Sequence, residues 1–314
     1  MDIGAGLGSC CGSSCVSAPF PCRKGIPHNP NITSDERYIL FLDGNRIGQG
    51  PERGDSLNWF YETVSLRLSA GNHVLVAQVW AIGAKAPQAQ MSVAPGFFLR
   101  EEGETPDTLS TGIAPWEVKP LAAYRFVDLG GRVPATYTVG PDLEVDGGLL
   151  DWGFHKGSGS GWQPAQQGEV PKTRLTKYGV AFPGHFLRKG TLPPMLQKQM
   201  NVGRVRHADH AGPEELKEAI LPARHLTGEA KEWQDMFKGL GTVTIKAHQH
   251  RRVVVDLENY YCAYPMLQVS GGKGASVIVR WAESLYVDVS TQRKDNRDDV
   301  AGKRKGGQAR MALR

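Results

Sequence analysis

The chain has 314 residues, of which 40% are hydrophobic and 22% are charged, and this composition excludes an unfolded or fibrous chain. The formal net charge of +5 comes from 37 basic and 32 acidic residues, and no nucleic-acid-binding motif accompanies this mild excess. No apolar run approaches membrane-spanning length, and the first residues lack the basic and apolar regions of a signal peptide. We therefore expect a globular chain with no nucleic-acid partner and no membrane partner. Its expected compartment is the cytoplasm or one that the sequence does not indicate.

The first 33 residues differ in composition from the rest of the chain. They are rich in Gly and Ser, and they hold four of the five cysteines, namely Cys10, Cys11, Cys15 and Cys22. A zinc site would need paired Cys-x-x-Cys knuckles, and a disulfide framework would spread its cysteines over the domain. We predict a disordered or atypical leader at 1–33, with a metal or redox site as the alternative.

Residues 38–55, YILFLDGNRIGQGPERGD, carry the clearest local pattern. Large apolar side chains alternate along 38–42, as in a strand buried on one or both faces. Asp43, Gly44 and Asn45 then supply a turn, because Gly takes a positive φ without a clash and Asp and Asn can bond to their own backbone. The pattern predicts a β-hairpin with 46–48 as its return strand.

The loop at 48–55 contains three glycines and a proline, which predict an irregular path. Charge-assisted hydrogen bonds from Arg53 and Asp55 can brace such a loop, and we predict that role for both residues. Arg53, Gly54 and Asp55 also spell an adhesion tripeptide. Because three residues recur by chance, bracing is the preferred interpretation.

Further strands are predicted where β-branched and aromatic residues dominate, at 59–68, 73–80, 90–99, 242–246, 252–257, 264–269 and 275–281. Short helices are predicted at 213–221, which has a proline in its first turn, and at 229–238, which has one apolar face. The 38 glycines and 20 prolines favour loops between these elements. The expected fold is mainly β, with one or more jelly-roll-like antiparallel β-sandwiches, two short helices and long Gly/Pro-rich loops.

Two tryptophans are the candidate carbohydrate-binding residues. Trp152 and Trp162 lie in glycine-rich loops, where binding residues tend to be presented, and the CH face of a sugar stacks on an indole ring. For both rings, sugar binding and core packing remain open alternatives. Trp80 and Trp281 lie within strand patterns, so we expect them to pack in the core.

No catalytic residue, metal site or cofactor is predicted. The conspicuous acids lie in or beside predicted strands, where turn bracing or ion pairing is the preferred role; they are Glu52, Asp55, Asp256 and Glu283. Two closely spaced histidine pairs, at 207 and 210 and at 248 and 250, lack the further ligands that a metal site needs.

Several segments in succession carry a family resemblance. They include DERYILFLDGNRIGQGPERGD at 35–55, NWFYETVSL at 58–66, LSAGNHVLVAQVW at 68–80, APQAQMSVAPGFFL at 86–99, LPPM at 192–195 and VRWAESLY at 279–286. Their order resembles the amino-terminal β-sandwich region of bacterial α-L-rhamnosidases, which are glycoside hydrolases. The resemblance covers roughly 34–302.

The resemblance implies a non-catalytic β region that contacts a rhamnose-containing glycan and scaffolds a helical catalytic barrel. In that family the barrel carries the catalytic acids and follows the sandwiches. Too few residues follow Tyr286 for such a barrel, so we expect it to be missing from this chain and the chain to be a fragment. Two alternatives stay open, a free-standing carbohydrate-binding module and an active α-L-rhamnosidase.

The expected organisation has five regions. They are the leader at 1–33, a first sandwich region at 34–211, a short helical connection at 212–241, strands that complete the sandwich or start a second one at 242–290, and a basic truncated tail at 291–314.

Overall fold

The computed structural model describes residues 12–22, 28–55, 57–87, 89–102, 107–127, 141–167, 185–211, 218–282, 284–291, 293–296, 298–305 and 310–313. The chain divides into two compact units, Met1–Pro194 (unit 1) and Met195–Arg314 (unit 2).

Unit 1 is built from short strands. They are β1 (Gly12–Cys22), β2 (Asn31–Ser34), β3 (Arg37–Leu42), β4 (Asn45–Gly50), β5 (Trp59–Thr63), β6 (Gly71–Ala81), β7 (Phe97–Arg100), β8 (Glu117–Pro120), β9 (Tyr124–Val127), β10 (Asp142–Val145), β11 (Gln163–Pro164) and β12 (Leu187–Lys189). One sheet has the order β11-β8-β1-β6-β3-β4, a second has the order β12-β5-β2-β7, and β9 pairs with β10. The pairs are antiparallel except for β5 with β12.

The predicted hairpin is confirmed. Strands β3 and β4 flank Asp43 and Gly44, whose φ angles are 50° and 83°. Two consecutive positive φ values match the twist of the flanking strands, which is why Asp-Gly suits this position. The carboxylate of Asp43 also accepts a bond from the Val74 backbone N–H (2.9 Å) and lies 2.7 Å from Nδ1 of His73, so the turn is tied to β6.

Part of the expected leader belongs to the larger sheet. All 11 residues of β1 pair with β6, and residues 12–22 are thus in the sheet and not in a disordered segment. The sequence pattern did not predict this strand, because Gly, Ser and Pro have low β-propensity. The strand conformation depends instead on pairing with the neighbouring strand β6. Cys10 and Cys11 lie outside the described residues, as do the side chains of Cys15 and Cys22.

Strand β6 is buried on both faces. One face contributes Leu75, Ala77 and Val79 to the core between the two sheets. That core also contains Ile32, Tyr38, Leu40, Leu66, Phe97, Leu99, Leu109 and Trp116. On the opposite face, Val76 packs against Leu121 and Phe154. The mainly β, antiparallel fold is therefore confirmed, with two sheets packed around one core, while the jelly-roll connectivity stays a prediction.

A buried carboxylate fixes the loops around this core. Asp35 accepts bonds from the backbone N–H groups of Val93 (2.8 Å) and Ala94 (3.0 Å) and from Oγ of Ser92 (2.5 Å), and it lies 2.7 Å from Nε2 of His185. The side chains of Asp35 and His185 are each only 1% exposed. Burial raises the pKa of Asp35, but the bonds with His185, Ser92 and Val93 outweigh it and hold this pKa below its ordinary value.

Unit 2 contains one described α-helix, α1 (Thr227–Phe237), and seven strands. The strands are β13 (Arg204–Asp209), β14 (Arg252–Asp256), β15 (Val277–Arg280), β16 (Leu285–Asp288), β17 (Arg293–Lys294), β18 (Arg304–Lys305) and β19 (Arg310–Leu313). They form the pairs β13-β14 and β15-β19 and a sheet of order β17-β16-β18.

Several predicted elements are corrected by the structure. Residues 242–246 and 264–269 are loops and not strands, and the predicted strand at 90–99 is limited to β7. The strand predicted at 275–281 exists as β15, which pairs with β19. The predicted helix at 229–238 is confirmed as α1. The helix predicted at 213–221 falls partly on 212–217, outside the described residues, and 218–221 are not helical.

We expect Asp35→Ala to lower the free energy of unfolding by about 3–5 kcal/mol, because it leaves buried donors without an acceptor. The folded pKa of Asp35 is lowered, so its stabilisation is complete above the unfolded value of about 3.9 and is lost as the pH falls through the folded value. Denaturant unfolding of wild type and variant between pH 7 and pH 2 measures both effects. Asp142→Ala, at an exposed position, is the control, and an equal effect of the two substitutions would contradict the prediction.

Candidate functional site

The loop at 151–162 closes on itself through Asp151. The carboxylate of Asp151 accepts a bond from the Gly153 N–H (3.0 Å), and its carbonyl accepts one from the Phe154 N–H (3.2 Å). Further along, Oγ of Ser158 donates to the Gly153 carbonyl (2.8 Å). Gly159 adopts a φ of +92°, and a Cβ at this position would lie 1.8 Å from Oδ2 of Asp151. Glycine is therefore required where the loop returns to its own start.

Phe154 anchors the loop to the outer face of the larger sheet. Its side chain is 8% exposed and packs against Val76 of β6 and Leu121. Its ring also meets the ring of Phe41 edge to face, with centroids 6.1 Å apart. The face of β6 that points away from the main core therefore determines where the loop lies.

Lys119 of β8 joins the two ends of the loop. Its Nζ donates to Oδ2 of Asp151 and lies 5.9 Å from the centre of the Trp162 ring. Trp162 is half-buried against the same cluster as Phe154, and its Nε1 donates to the Ser158 carbonyl (3.2 Å). The bond from Lys119 lowers the pKa of Asp151, so the carboxylate stays charged at neutral pH.

Trp152 is the most exposed aromatic side chain of this loop. Its side chain is 72% exposed, although both neighbours, Asp151 and Gly153, are held by hydrogen bonds. An exposed indole on a closed loop gives a flat apolar face whose position needs no ordering on ligand binding. The charged pair of Lys119 on β8 and Asp151 in the loop supplies donors and acceptors. This combination suits a ligand with one apolar face and several hydroxyl groups.

The other two tryptophans named in the sequence analysis have separate environments. Trp80 lies on β6 and is half-buried. Trp281 directly follows β15 and is 38% exposed, so its expected core position is wrong. The local pattern could not reveal this, because the number of layers that cover β15 is a tertiary property.

Asp55 bonds within its own turn. Its carboxylate accepts bonds from the Leu57 N–H (2.8 Å) and from Nδ2 of Asn58 (2.9 Å), which lower its pKa. Within the part of the chain that the structure describes, the exposed Arg53 forms no ion pair with Asp55. Bracing of the loop by the two residues together stays a prediction.

Glu52 and Glu62 hold neighbouring chain segments. Glu62 accepts bonds from the Glu52 N–H (2.7 Å) and the Tyr38 hydroxyl (2.9 Å), while burial raises the pKa of Glu62. Glu52 in turn accepts bonds from the N–H groups of Thr191 (3.0 Å) and Leu192 (3.2 Å). Both acids thus have acceptor roles within the fold of unit 1.

Asp256 and His207 also have protein partners, whereas His210, His248 and His250 are exposed. Asp256 accepts a bond from Nη1 of Arg206 (2.8 Å), and His207 lies 3.0 Å from the carboxylate of Asp209. Glu283 is outside the described residues. Among those described, no group of three or more His, Cys, Asp and Glu side chains is arranged to hold a metal ion, and no helix is long and apolar enough to cross a membrane.

Sequence reasoning identified Trp152 and Trp162 but missed their polar neighbours. Lys119 and Asp151 are 32 positions apart, and their contact depends on where β8 lies in the sheet. The one local signal is the short run of Asp, Trp and Gly at 151–153, which is typical of a turn closed by an aspartate.

The fold and the loop define this chain as a mainly β protein with an aromatic surface presented at one loop. No family model matches the sequence, and no curated protein matches it. Among solved structures, a GH78 family rhamnosidase of Bacillus sp. GL1 is similar with a TM-score of 0.50 and 16% identity over 71% of this chain and 22% of that chain. The likeness indicates a shared fold, and the chain spans about a fifth of that rhamnosidase's length.

A lectin from Pleurotus ostreatus in complex with GalNAc also matches, with a TM-score of 0.23 and 14% identity over 46% of this chain and 40% of that chain. A TM-score of this size does not indicate a common fold.

We expect Gly159→Ala to distort the loop at 151–162 (the tryptophan loop), because the new Cβ displaces the Asp151 carboxylate from Lys119. Gly112→Ala is the matched control, since Gly112 has a similar φ of +81° but no atom within 4 Å of the place that a Cβ would take. Both substitutions should cost about 1 kcal/mol from the strained backbone, and Gly159→Ala about 1 kcal/mol more from the lost bond. Chemical denaturation followed by tryptophan emission measures this, and identical results for both variants would contradict the proposed packing.

Proposed function

We propose that this chain is a non-catalytic β-sandwich portion of an α-L-rhamnosidase-like glycoside hydrolase, and that it contacts a rhamnose-containing glycan. Trp152 forms the main contact, and Trp162 with Lys119 and Asp151 forms the adjoining surface. The observation that carries the proposal is the 72% exposure of an indole ring on a loop that is closed by hydrogen bonds and anchored by a buried phenylalanine.

The chemistry of the surface favours a sugar over other small ligands. A pyranose ring has one face of C–H groups that packs on an aromatic ring, and its hydroxyl groups both donate and accept hydrogen bonds. The ammonium group of Lys119 donates, and the carboxylate of Asp151 accepts. A purely apolar ligand would leave this charged pair desolvated and without new partners, which costs free energy.

The rhamnosidase context is supported by the order of the sequence segments and by the likeness of fold over 71% of this chain. In this proposal the β region scaffolds a helical catalytic barrel, and hydrolysis belongs to that barrel. The bonding of Glu52 and Glu62 also supports a scaffold, because these carboxylates already accept bonds from neighbouring segments of unit 1.

A free-standing carbohydrate-binding module is the second candidate function. The two sheets of unit 1 enclose a core of their own, which includes Tyr38, Leu75 and Phe97 at 2% exposure or less. Such a core favours folding without a partner domain. The two candidates share the Trp152 contact and differ in whether this chain scaffolds a catalytic barrel.

We expect L-rhamnose, or a glycan that contains it, to raise the free energy of unfolding of the wild-type chain. At a ligand concentration of one hundred times the Kd the gain is about 2.7 kcal/mol. Loss of the Trp152 ring in Trp152→Ala should weaken binding about tenfold, which reduces the gain to about 1.4 kcal/mol at the same concentration. Chemical denaturation with and without sugar measures the difference.

The control variant is Leu149→Ala, which removes another exposed apolar side chain near the loop, one that is 64% exposed, but no ring. It should retain wild-type sugar binding. A separate assay for hydrolysis of 4-nitrophenyl α-L-rhamnoside should show no turnover by the purified chain. Equal binding by wild type and Trp152→Ala would refute the glycan contact, and measurable hydrolysis would refute the non-catalytic role.

A further inference from the structure

Unit 2 contains a cleft of about 470 Å³ to which the tryptophan loop contributes no residue. Its walls come from the segment at 201–204 that enters β13, from the C-terminal end of α1, and from the loop after β14. Its volume falls within the range of about 300–1,000 Å³ that is typical of small-molecule sites. We propose that this cleft is a second glycan-binding site and that it takes a neutral pyranose sugar.

The helix side of the cleft is rigidly held. The side-chain amide of Gln234 accepts a bond from the Val205 N–H (2.9 Å) and donates one to the Gly203 carbonyl (2.9 Å). Gly203 has a φ of +133°, and a Cβ here would lie 2.6 Å from Cγ1 of Val255 and 3.5 Å from the ring of Phe237. The backbone at Gly203 therefore packs closely against Val255 and lies beside the half-buried Phe237 ring.

On the other side of the cleft, hydrogen bonds to the Asp256 carboxylate hold the loop that follows β14. Asp256 accepts a bond from Nη1 of Arg206 (2.8 Å) and another from the Glu258 N–H (2.8 Å). Glu258 has a φ of 59°, which is uncommon for a residue with a side chain. The Asp256 bonds hold the start of the loop that carries Tyr261, which lines the cleft and is 39% exposed.

The lining combines ring faces with hydrogen-bonding groups. Phe237 and Tyr261 supply the rings, while Asn201, Arg204 and Glu258 supply donors and acceptors. Sugars need both kinds of contact, because their C–H faces pack on rings and their hydroxyl groups require polar partners. A ligand without hydroxyl groups would leave the polar part of the lining unsatisfied.

The charges around the cleft nearly balance. The C-terminal end of α1 faces the cleft at Phe237 and Lys238, and the helix dipole is negative at this end. Phosphate sites instead use the positive N-terminal end of a helix. Glu258 adds a further negative charge, while Arg204 and Lys238 offset it. With two cationic side chains against one carboxylate and the negative helix end, no strong net field selects an anion, and a neutral ring with hydroxyl groups suits this lining.

Saturation-transfer difference NMR on the full chain tests this site, with L-rhamnose, D-galactose, N-acetyl-D-galactosamine and D-glucuronate as probes. The measurements use a Trp152→Ala background, so that the surface formed by Trp152 and Trp162 (the tryptophan surface) loses its exposed ring. At least one neutral sugar should still bind, and adding Tyr261→Ala should weaken that binding about tenfold or more. Glu258→Gln, which retains the shape of the side chain, should weaken it several-fold by removing a charged acceptor.

Tyr264→Ala is the matched control, since Tyr264 lies three positions further along the same loop, is 97% exposed and does not line the cleft. It should leave binding unchanged, and circular dichroism verifies that each variant is folded. Loss of all sugar binding in the Trp152→Ala chain alone would overturn the proposed cleft site. It would still agree with sugar binding at the tryptophan surface. Tighter binding of D-glucuronate than of every neutral sugar, or equal binding by the Tyr261→Ala and Tyr264→Ala chains, would also overturn it.

Discussion

Strand β6 lies inside the larger sheet and buries side chains on both of its faces. Its odd-numbered residues from Leu75 to Val79 pack in the core between the two sheets, so the second sheet has to cover that side. Val76 faces the opposite way, and Phe154 covers it. An apolar face left in water would cost free energy in proportion to its area. The double burial of β6 therefore accounts both for the two-layer core and for the position of the tryptophan loop.

In the loops of unit 1, carboxylates accept hydrogen bonds from backbone N–H groups that regular secondary structure would otherwise pair. Asp35, Asp43 and Asp151 each accept bonds from backbone N–H groups and from a second side chain. Asp35 is buried and Asp151 is half-buried, and such carboxylates need partners because leaving them unpaired is expensive. The same bonds lower the pKa of all three acids. A chain rich in Gly and Pro can hold long loops in place by this means, and the loops can then present a ring such as Trp152.

The sequence predicted an element correctly where the interactions that form the element lie within one short segment. The alternation along β3, the Asp43-Gly44 turn and the apolar face of α1 are local, and each was predicted close to its observed position. Prediction failed where a partner strand decides the outcome. Residues 264–269 have the composition of a strand but lie in a loop, while β1 has a poor strand composition and pairs with β6 along all 11 of its residues.

The amino-acid sequence by itself determined the mainly β class, the first hairpin and the presence of Trp152 and Trp162 in glycine-rich loops. Periodicity and turn chemistry act over a few residues, so the sequence alone reveals them. Only the tertiary structure decided that Trp152 is exposed while Trp162 is half-buried, and that Lys119 reaches Asp151 from 32 positions away. The walls of the cleft in unit 2 likewise come from three separate stretches. Such contacts depend on strand pairing and layer packing, which no local pattern specifies.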